Sequence, residues 1–280
     1  MGDCVLKVRL QAGYRDTQIL QDVAFSLSAG ECLGVVGRSG AGKSTLVLSL
    51  LGLAGWHGAW AKGEVLLQGK NLLQLRNSEL RCLLGRSIAL IPQAPLSALN
   101  PKISLQRHFI EAWKAHRKLD GSLRARIHEL AEQVDLPTSD EFWRRRANQV
   151  SVGQAQRVTI ALALLHGPRL VIADEPTSAL DWFVQSEVLE LLARVVKQES
   201  SALLFISHDL ISVLRLCDRM AILDGGKLTE SLRVPELSKS ATPEFQRALS
   251  SLPMPLDLLL PHVRPEPIKV PAMGLRENAR

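Results

Sequence analysis

Apolar and polar residues alternate from the start of the chain. Cys4, Leu6, Val8 and Leu10 fall on one face with Lys7 and Arg9 opposite, and Val23, Phe25 and Leu27 repeat the pattern over 22–28. A period of two is that of a half-buried strand. Gly30 punctuates the chain, and the run Cys32 to Val36 is apolar, as suits a strand buried on both faces. Residues 45–54 continue as a predicted helix. Over 105–150 the apolar residues shift to helical spacing among Arg107, Lys114, Arg117, Lys118, Arg124 and Arg126. A helical subdomain is expected there, broken at Gly121 and Pro137. Strand–helix alternation resumes at 154. Residues 170–173 (LVIA) and 202–206 (ALLFI) read as buried parallel strands. Between them Val184, Val188, Leu191, Leu192 and Val195 line one face of a helix. Gly225-Gly226, between two short strands, predicts a hairpin turn. This order is that of an α/β fold.

The composition agrees. The chain has 280 residues, 46% hydrophobic and 22% charged, enough to bury a sizeable core in about two units. No apolar run approaches the roughly 18 residues that span a bilayer, and no secretory signal is expected. Collagen, coiled coil, full-length disorder and an integral membrane protein are excluded. Cys4, Cys32, Cys82 and Cys217 form no CxxC pair, so they read as reduced core thiols rather than a zinc site or disulfide scaffold. The net charge of +6 is densest at Arg144, Arg145 and Arg146, read as a helical, solvated or nucleotide-proximal face. The last 28 residues hold six of the 14 prolines, and an extended or disordered tail is expected there.

Three segments carry chemistry. GRSGAGKS, residues 37–44, fits GxxxxGK[ST] between a predicted strand and a predicted helix. Gly37, Gly40 and Gly42 let the backbone bend around phosphate oxygens and feed a helix N-terminus, where anions are favoured. Lys43 is expected to reach the β- and γ-phosphates of a nucleotide, and the Ser44 hydroxyl to ligate Mg²⁺. LVIADE, residues 170–175, ends an apolar strand in two carboxylates. Asp174 would hold Mg²⁺ through water, and Glu175 would act as general base towards the attacking water. His208 follows the second apolar strand and would face the same crevice, bonding the γ-phosphate.

GRSGAGKS, Gln93, VSVGQ (150–154), LVIADEPTSALD (170–181) and His208, in that order, resemble the nucleotide-binding subunit of an ABC transporter over roughly residues 4–230. The resemblance implies a P-loop NTPase fold with an antiparallel β subdomain and a helical signature subdomain. It implies a cassette over 1–230, with the helical subdomain inserted at about 94–150, and a short C-terminal extension over 231–280. It implies ATP and Mg²⁺ as ligands. Gly37, Ser39, Gly40, Ala41, Gly42, Lys43, Ser44 and Thr45 would cradle the phosphates. Gln93 matches the Q-loop, which contacts Mg²⁺ and relays nucleotide state to a membrane subunit. Tyr14 matches the aromatic that stacks on adenine. Ser151, Gly153 and Gln154 match the signature, which completes the partner's site in a head-to-tail dimer, and Ser178 to Asp181 match the D-loop that crosses it.

Within the family, IPQAPLSALNP (91–101) is similar to oligopeptide, dipeptide and nickel importers. TPEFQRAL (242–249) resembles their C-terminal His-Pro-Tyr segment, with Thr242 and Glu244 in place of the histidine and tyrosine, and no iron–sulfur cluster is carried over. The resemblance implies membrane permease subunits, an extracytoplasmic binding protein, and a peripheral place on the cytoplasmic face of the inner membrane. Val152 stands where the signature has glycine, which points to a heterodimer with a second, different ATPase; pairing with a second copy of this chain stays open as the alternative. Nucleic acid is not expected as a partner. Two other classes stay open: a soluble ABC ATPase acting on nucleic acid or ribosomes, and a regulatory subunit that binds nucleotide without hydrolysis.

Overall fold

The computed structural model describes residues 3–229, 231–239, 243–253 and 256, so nearly all of the expected proline-rich tail lies outside the described residues. In chain order the first elements are β1 (Cys4–Tyr14), β2 (Thr17–Ser28), β3 (Cys32–Val36), α1 (Lys43–Leu50), β4 (Ala59–Leu67), β5 (Lys70–Asn71), α2 (Asn77–Leu83) and β6 (Ile88–Ile91). The helices α3 (Pro95–Ala98), α4 (Leu105–Lys114), α5 (Ser122–Gln133), α6 (Asp140–Arg144) and α7 (Val152–Leu164) follow. Then come β7 (Leu170–Asp174), α8 (Trp182–Gln198), β8 (Ala202–Ser207), α9 (Leu210–Leu216), β9 (Arg219–Asp224), β10 (Lys227–Leu228), β11 (Leu232–Arg233) and α10 (Pro243–Leu249).

The strands join one sheet in the order β5-β4-β1-β2-β10-β9-β3-β8-β7-β6, with β11 on β9. The β5-β4-β1-β2 end is antiparallel, and β9, β3, β8, β7 and β6 are parallel. In the antiparallel end Val8 pairs with Phe25 on one side and Val65 on the other, so one apolar row crosses three strands. β2 starts at Thr17, earlier than its alternation suggests, because the polar Thr17, Gln18 and Gln21 hide its period.

The parallel strands bury both faces, and their period of two splits them between two cores. Leu33, Val35, Ile172, Leu204 and Ile206 meet α1 and the antiparallel strands. Ala89, Ile91, Val171, Ala173, Leu203 and Phe205 face α7, α8, α9 and the helical subdomain. That subdomain is built from helical stripes: Leu105, Phe109 and Trp113 on α4, and Leu123, Ile127 and Leu130 on α5. Phe109 meets Trp143 edge to face, ring centres 5.3 Å apart.

Three sequence readings are corrected. The first helix stops at Leu50, because Gly52 takes φ +69° and caps its end. Arg144, Arg145 and Arg146 do not share a helix: Arg144 ends α6, and Arg145 turns extended so that its carbonyl accepts from the Leu105 amide at 2.8 Å. Cys4 and Cys82 are exposed, and only Cys32 and Cys217 are core thiols, their sulfurs 3.3 Å apart. Gly225 and Gly226 form the expected turn, both with positive φ (53° and 78°), joining Asp224 to its pair Lys227.

Phe109 is fully buried where α4, α6 and α7 converge. Phe109→Ala is expected to lower unfolding stability by about 3–5 kcal/mol, read from urea denaturation.

Candidate active site

Parallel strands bring their C-terminal ends to one edge, and here three of them deliver the predicted residues. β3 leads into residues 37–42, β7 ends at Asp174 and β8 ends at Ser207. Two backbone bonds lock these ends together: the Glu175 amide donates to Ile206 (2.8 Å) and the Gly37 amide to Ser207 (3.3 Å).

The loop after β3 needs its glycines. Gly40 and Gly42 take φ +82° and +103°, and a Cβ on Gly42 would lie 2.9 Å from Leu20 Cδ2 on β2. The loop closes on Lys43, whose Nζ donates to the carbonyls of Gly37 (2.8 Å) and Arg38 (3.2 Å). The same buried ammonium lies 3.1 Å from Glu175 Oε1. Glu175 Oε2 meets Nδ1 of His208 at 3.0 Å and accepts from Nε2 of Gln93 at 3.3 Å. Three residues separated by up to 165 positions in the chain therefore converge on the Glu175 carboxylate. Glu175 itself holds φ +46°, a left-handed conformation that costs a non-glycine residue about 1–3 kcal/mol. Its carboxylate is nearly buried, whereas the His208 side chain is 56% exposed and opens the cluster to solvent.

Asp174 makes no side-chain hydrogen bond or ion pair among the described residues. Burial, then the neighbouring Glu175 charge, push its carboxyl above the usual carboxylate range, and Lys43 pulls the other way. At its N-terminus α1 has neither a side-chain cap nor an acidic residue in its first turn. Bare helix amides, a buried ammonium and backbone-only glycines fit a polyphosphate. The desolvated Asp174 beside Glu175, with the Ser44 hydroxyl at the start of α1, fits a divalent cation.

The remaining predicted residues stand apart from this cluster. Ser151 and Gln154 form a reciprocal cap at the start of α7, each accepting from the other's amide at 3.1 Å. Gly153 allows α7 to touch α8, since a Cβ there would lie 2.9 Å from Val184 Cγ1. Asp181 caps α8, accepting from the amides of Phe183 and Val184 (3.1 and 3.0 Å). Tyr14 ends β1 at a hairpin tip, paired with Thr17 and Ala59. Among the described residues no hydrogen bond or ion pair links these positions to Lys43, Glu175 or His208.

The sequence reading missed three supports. The carbonyls of Gly37 and Arg38 grip Lys43. Ser178 Oγ donates to the Glu175 carbonyl at 3.0 Å and closes the turn after it. Asp209 caps α9 and accepts from Gln185 of α8 at 2.9 Å, tying the His208 turn to the helix that Asp181 begins. Only Asp209 had a sequence signal, an aspartate directly before an apolar run.

The model of the ABC transporter family matches residues 20–178. The peptidoglycan transport ATP-binding protein YejF of Agrobacterium fabrum is 36% identical over 246 residues, 87% of this chain and 45% of that protein. The oligopeptide transport ATP-binding protein OppD of Bacillus subtilis is 35% identical over 224 residues, 79% of this chain and 63% of that protein. The chain thus spans less than two thirds of the length of either relative. Among solved structures, cbiO1 of Clostridium perfringens, part of the ABC transporter complex cbiONQ, superposes with a TM-score of 0.72 at 26% identity, covering 93% of this chain and 97% of that one.

The contact between α7 and α8 has no room for a methyl group at Gly153. Gly153→Ala is expected to cost about 1–3 kcal/mol in urea unfolding, and adding Val184→Ala to recover part of that loss.

Proposed function

The chain belongs to the ABC transporter family, and from that membership we propose that it is the ATP-hydrolysing subunit of a peptide importer. The observation that carries the reading is the convergence of Lys43, Gln93 and His208 on Glu175. Residues 37–45 bind the phosphates of ATP, with Lys43 on the β- and γ-phosphates and Tyr14 against adenine. As the nucleotide's charge takes over Lys43, Glu175 is released to accept a proton from the attacking water. His208 and Gln93 hold the carboxylate and sense whether the γ-phosphate is present. Ser44, Asp174 and Gln93 would hold Mg²⁺, which offsets charge on the transferring phosphoryl group.

In this reading residues 1–230 are the cassette and 231–280 an extension. Ser151, Gly153 and Gln154 serve the site of a second ATPase subunit, and Ser178 to Asp181 cross to it. Trp182 and Phe183, 75% and 63% exposed directly beside Asp181, offer apolar surface such a subunit would cover. Val152, β-branched at the first position of α7, supports a different chain as that subunit, with the site it completes turning over slowly. Gln93 and its surroundings couple to permeases at the cytoplasmic face of the membrane, and a binding protein outside selects the cargo. Among the described residues no helix is long and apolar enough to cross a membrane. Peptide as cargo is supported by the oligopeptide transport named for the OppD relative; neither that name nor YejF's lends anything to nickel or to an action on nucleic acid.

Glu175→Gln is expected to bind ATP but to lose about 10²–10⁴-fold in turnover, read from phosphate release; wild-type turnover would remove Glu175 from the base role. In the assembled transporter, Val152→Gly is expected to raise ATP hydrolysis. Unchanged rates would make the valine a tolerated variation.

A further inference from the structure

A cavity of about 520 Å³ lies between the loop after β3 and the C-terminal helix α10. Its size is that of a small-molecule site. Val36, Ile222 and Ala248 give it apolar walls. Its charges are mixed: Asp224 from the end of β9, and Glu244 and Arg247 from α10. Arg247 stands 3.5 Å from Asp224 and 3.6 Å from Glu244, longer than the roughly 2.7–2.9 Å of a closed charge-assisted bond. All three side chains are partly or largely exposed, so these pairs contribute little and open readily.

That charge set selects the class of ligand. A simple anion would meet two carboxylates. A simple cation would meet Arg247 and, on the opposite wall, Arg38. A molecule with an ammonium and a carboxylate on a short apolar body satisfies both signs at once. We propose that this cavity binds a short peptide with free termini, its ammonium on Asp224 and Glu244 and its carboxylate on Arg247. Part of the remaining wall, Gly37 to Ser39 and His208, belongs to the proposed nucleotide site. Occupancy is therefore coupled to ATP binding, and the coupling is reciprocal. Resting on the peptide-importer reading, the cavity is a sensor of imported product that restrains the ATPase when peptide accumulates.

The test is isothermal titration of the purified full chain with the dipeptide leucyl-alanine, its N-acetyl form and its C-terminal amide, with ATP titrated into the same preparations. The expected result is saturable binding of the free dipeptide, weakened at least about tenfold by either block or by Arg247→Gln, the loss of one charge-assisted bond. Bound dipeptide is expected to weaken ATP binding, and Arg247→Gln, outside the nucleotide site, to leave ATP affinity unchanged. Absence of dipeptide binding at millimolar concentration, or equal binding by the blocked forms or by the variant, would overturn the proposal while intact ATP binding left the functional reading standing. Dipeptide binding without ATP binding would overturn the functional reading and, with it, the sensor role of the cavity.

Discussion

The ion pair between Lys43 and Glu175 organises this molecule. A lysine side chain only 8% exposed must have its charge met: the Glu175 carboxylate neutralises it, and the carbonyls of Gly37 and Arg38 accept its hydrogen bonds. Each partner arrives from a different strand end. The loop from β3 can curl back on its own lysine only because Gly40 and Gly42 accept positive φ. Glu175 reaches it through a left-handed backbone that its side-chain contacts hold in place. A polyphosphate would take over the same ammonium, so the pair is also the place where ligand and protein compete.

The parallel sheet is what makes the pair possible. β3, β8 and β7 run side by side in register, with Val36 beside Ser207 and Asp174 beside Ile206, so the residues that follow each strand meet without long loops. On the far side the starts of α7 and α8 are fixed by their own caps and by the Gly153–Val184 contact, which makes them a rigid surface rather than a part of the pocket. The Asp209–Gln185 bond ties that surface to the turn bearing His208. A change at one edge therefore has a short mechanical route to the other, through side chains already in contact.

Much of this was legible before the structure. Apolar alternation located β1, the continuous apolar runs located β3, β7 and β8, and the glycine spacing of 37–44 marked the loop, because each reports a local requirement. What escaped was non-local. Nothing in the chain near Lys43 names Glu175 as its counterion, and a main-chain φ of +46° at a glutamate has no sequence signature. The first helix ended early because one glycine outweighed an apolar run. The three arginines separated because the backbone at Arg145 and Arg146 turns extended and pairs with Ser104 and Leu105 at the start of α4. Ser151 and Asp181, singled out for their place in motifs, also cap helices, and caps are visible in sequence only once the helix start is known.

In the proposed cycle nucleotide replaces Glu175 as the counterion of Lys43. Calorimetric titration of ATP into the wild-type chain, Glu175→Gln and Lys43→Ala tests it most directly. Tighter binding is expected when the competing carboxylate is neutralised, and loss of binding when the ammonium is removed. Unchanged or weaker binding by Glu175→Gln, or wild-type affinity in Lys43→Ala, would contradict it.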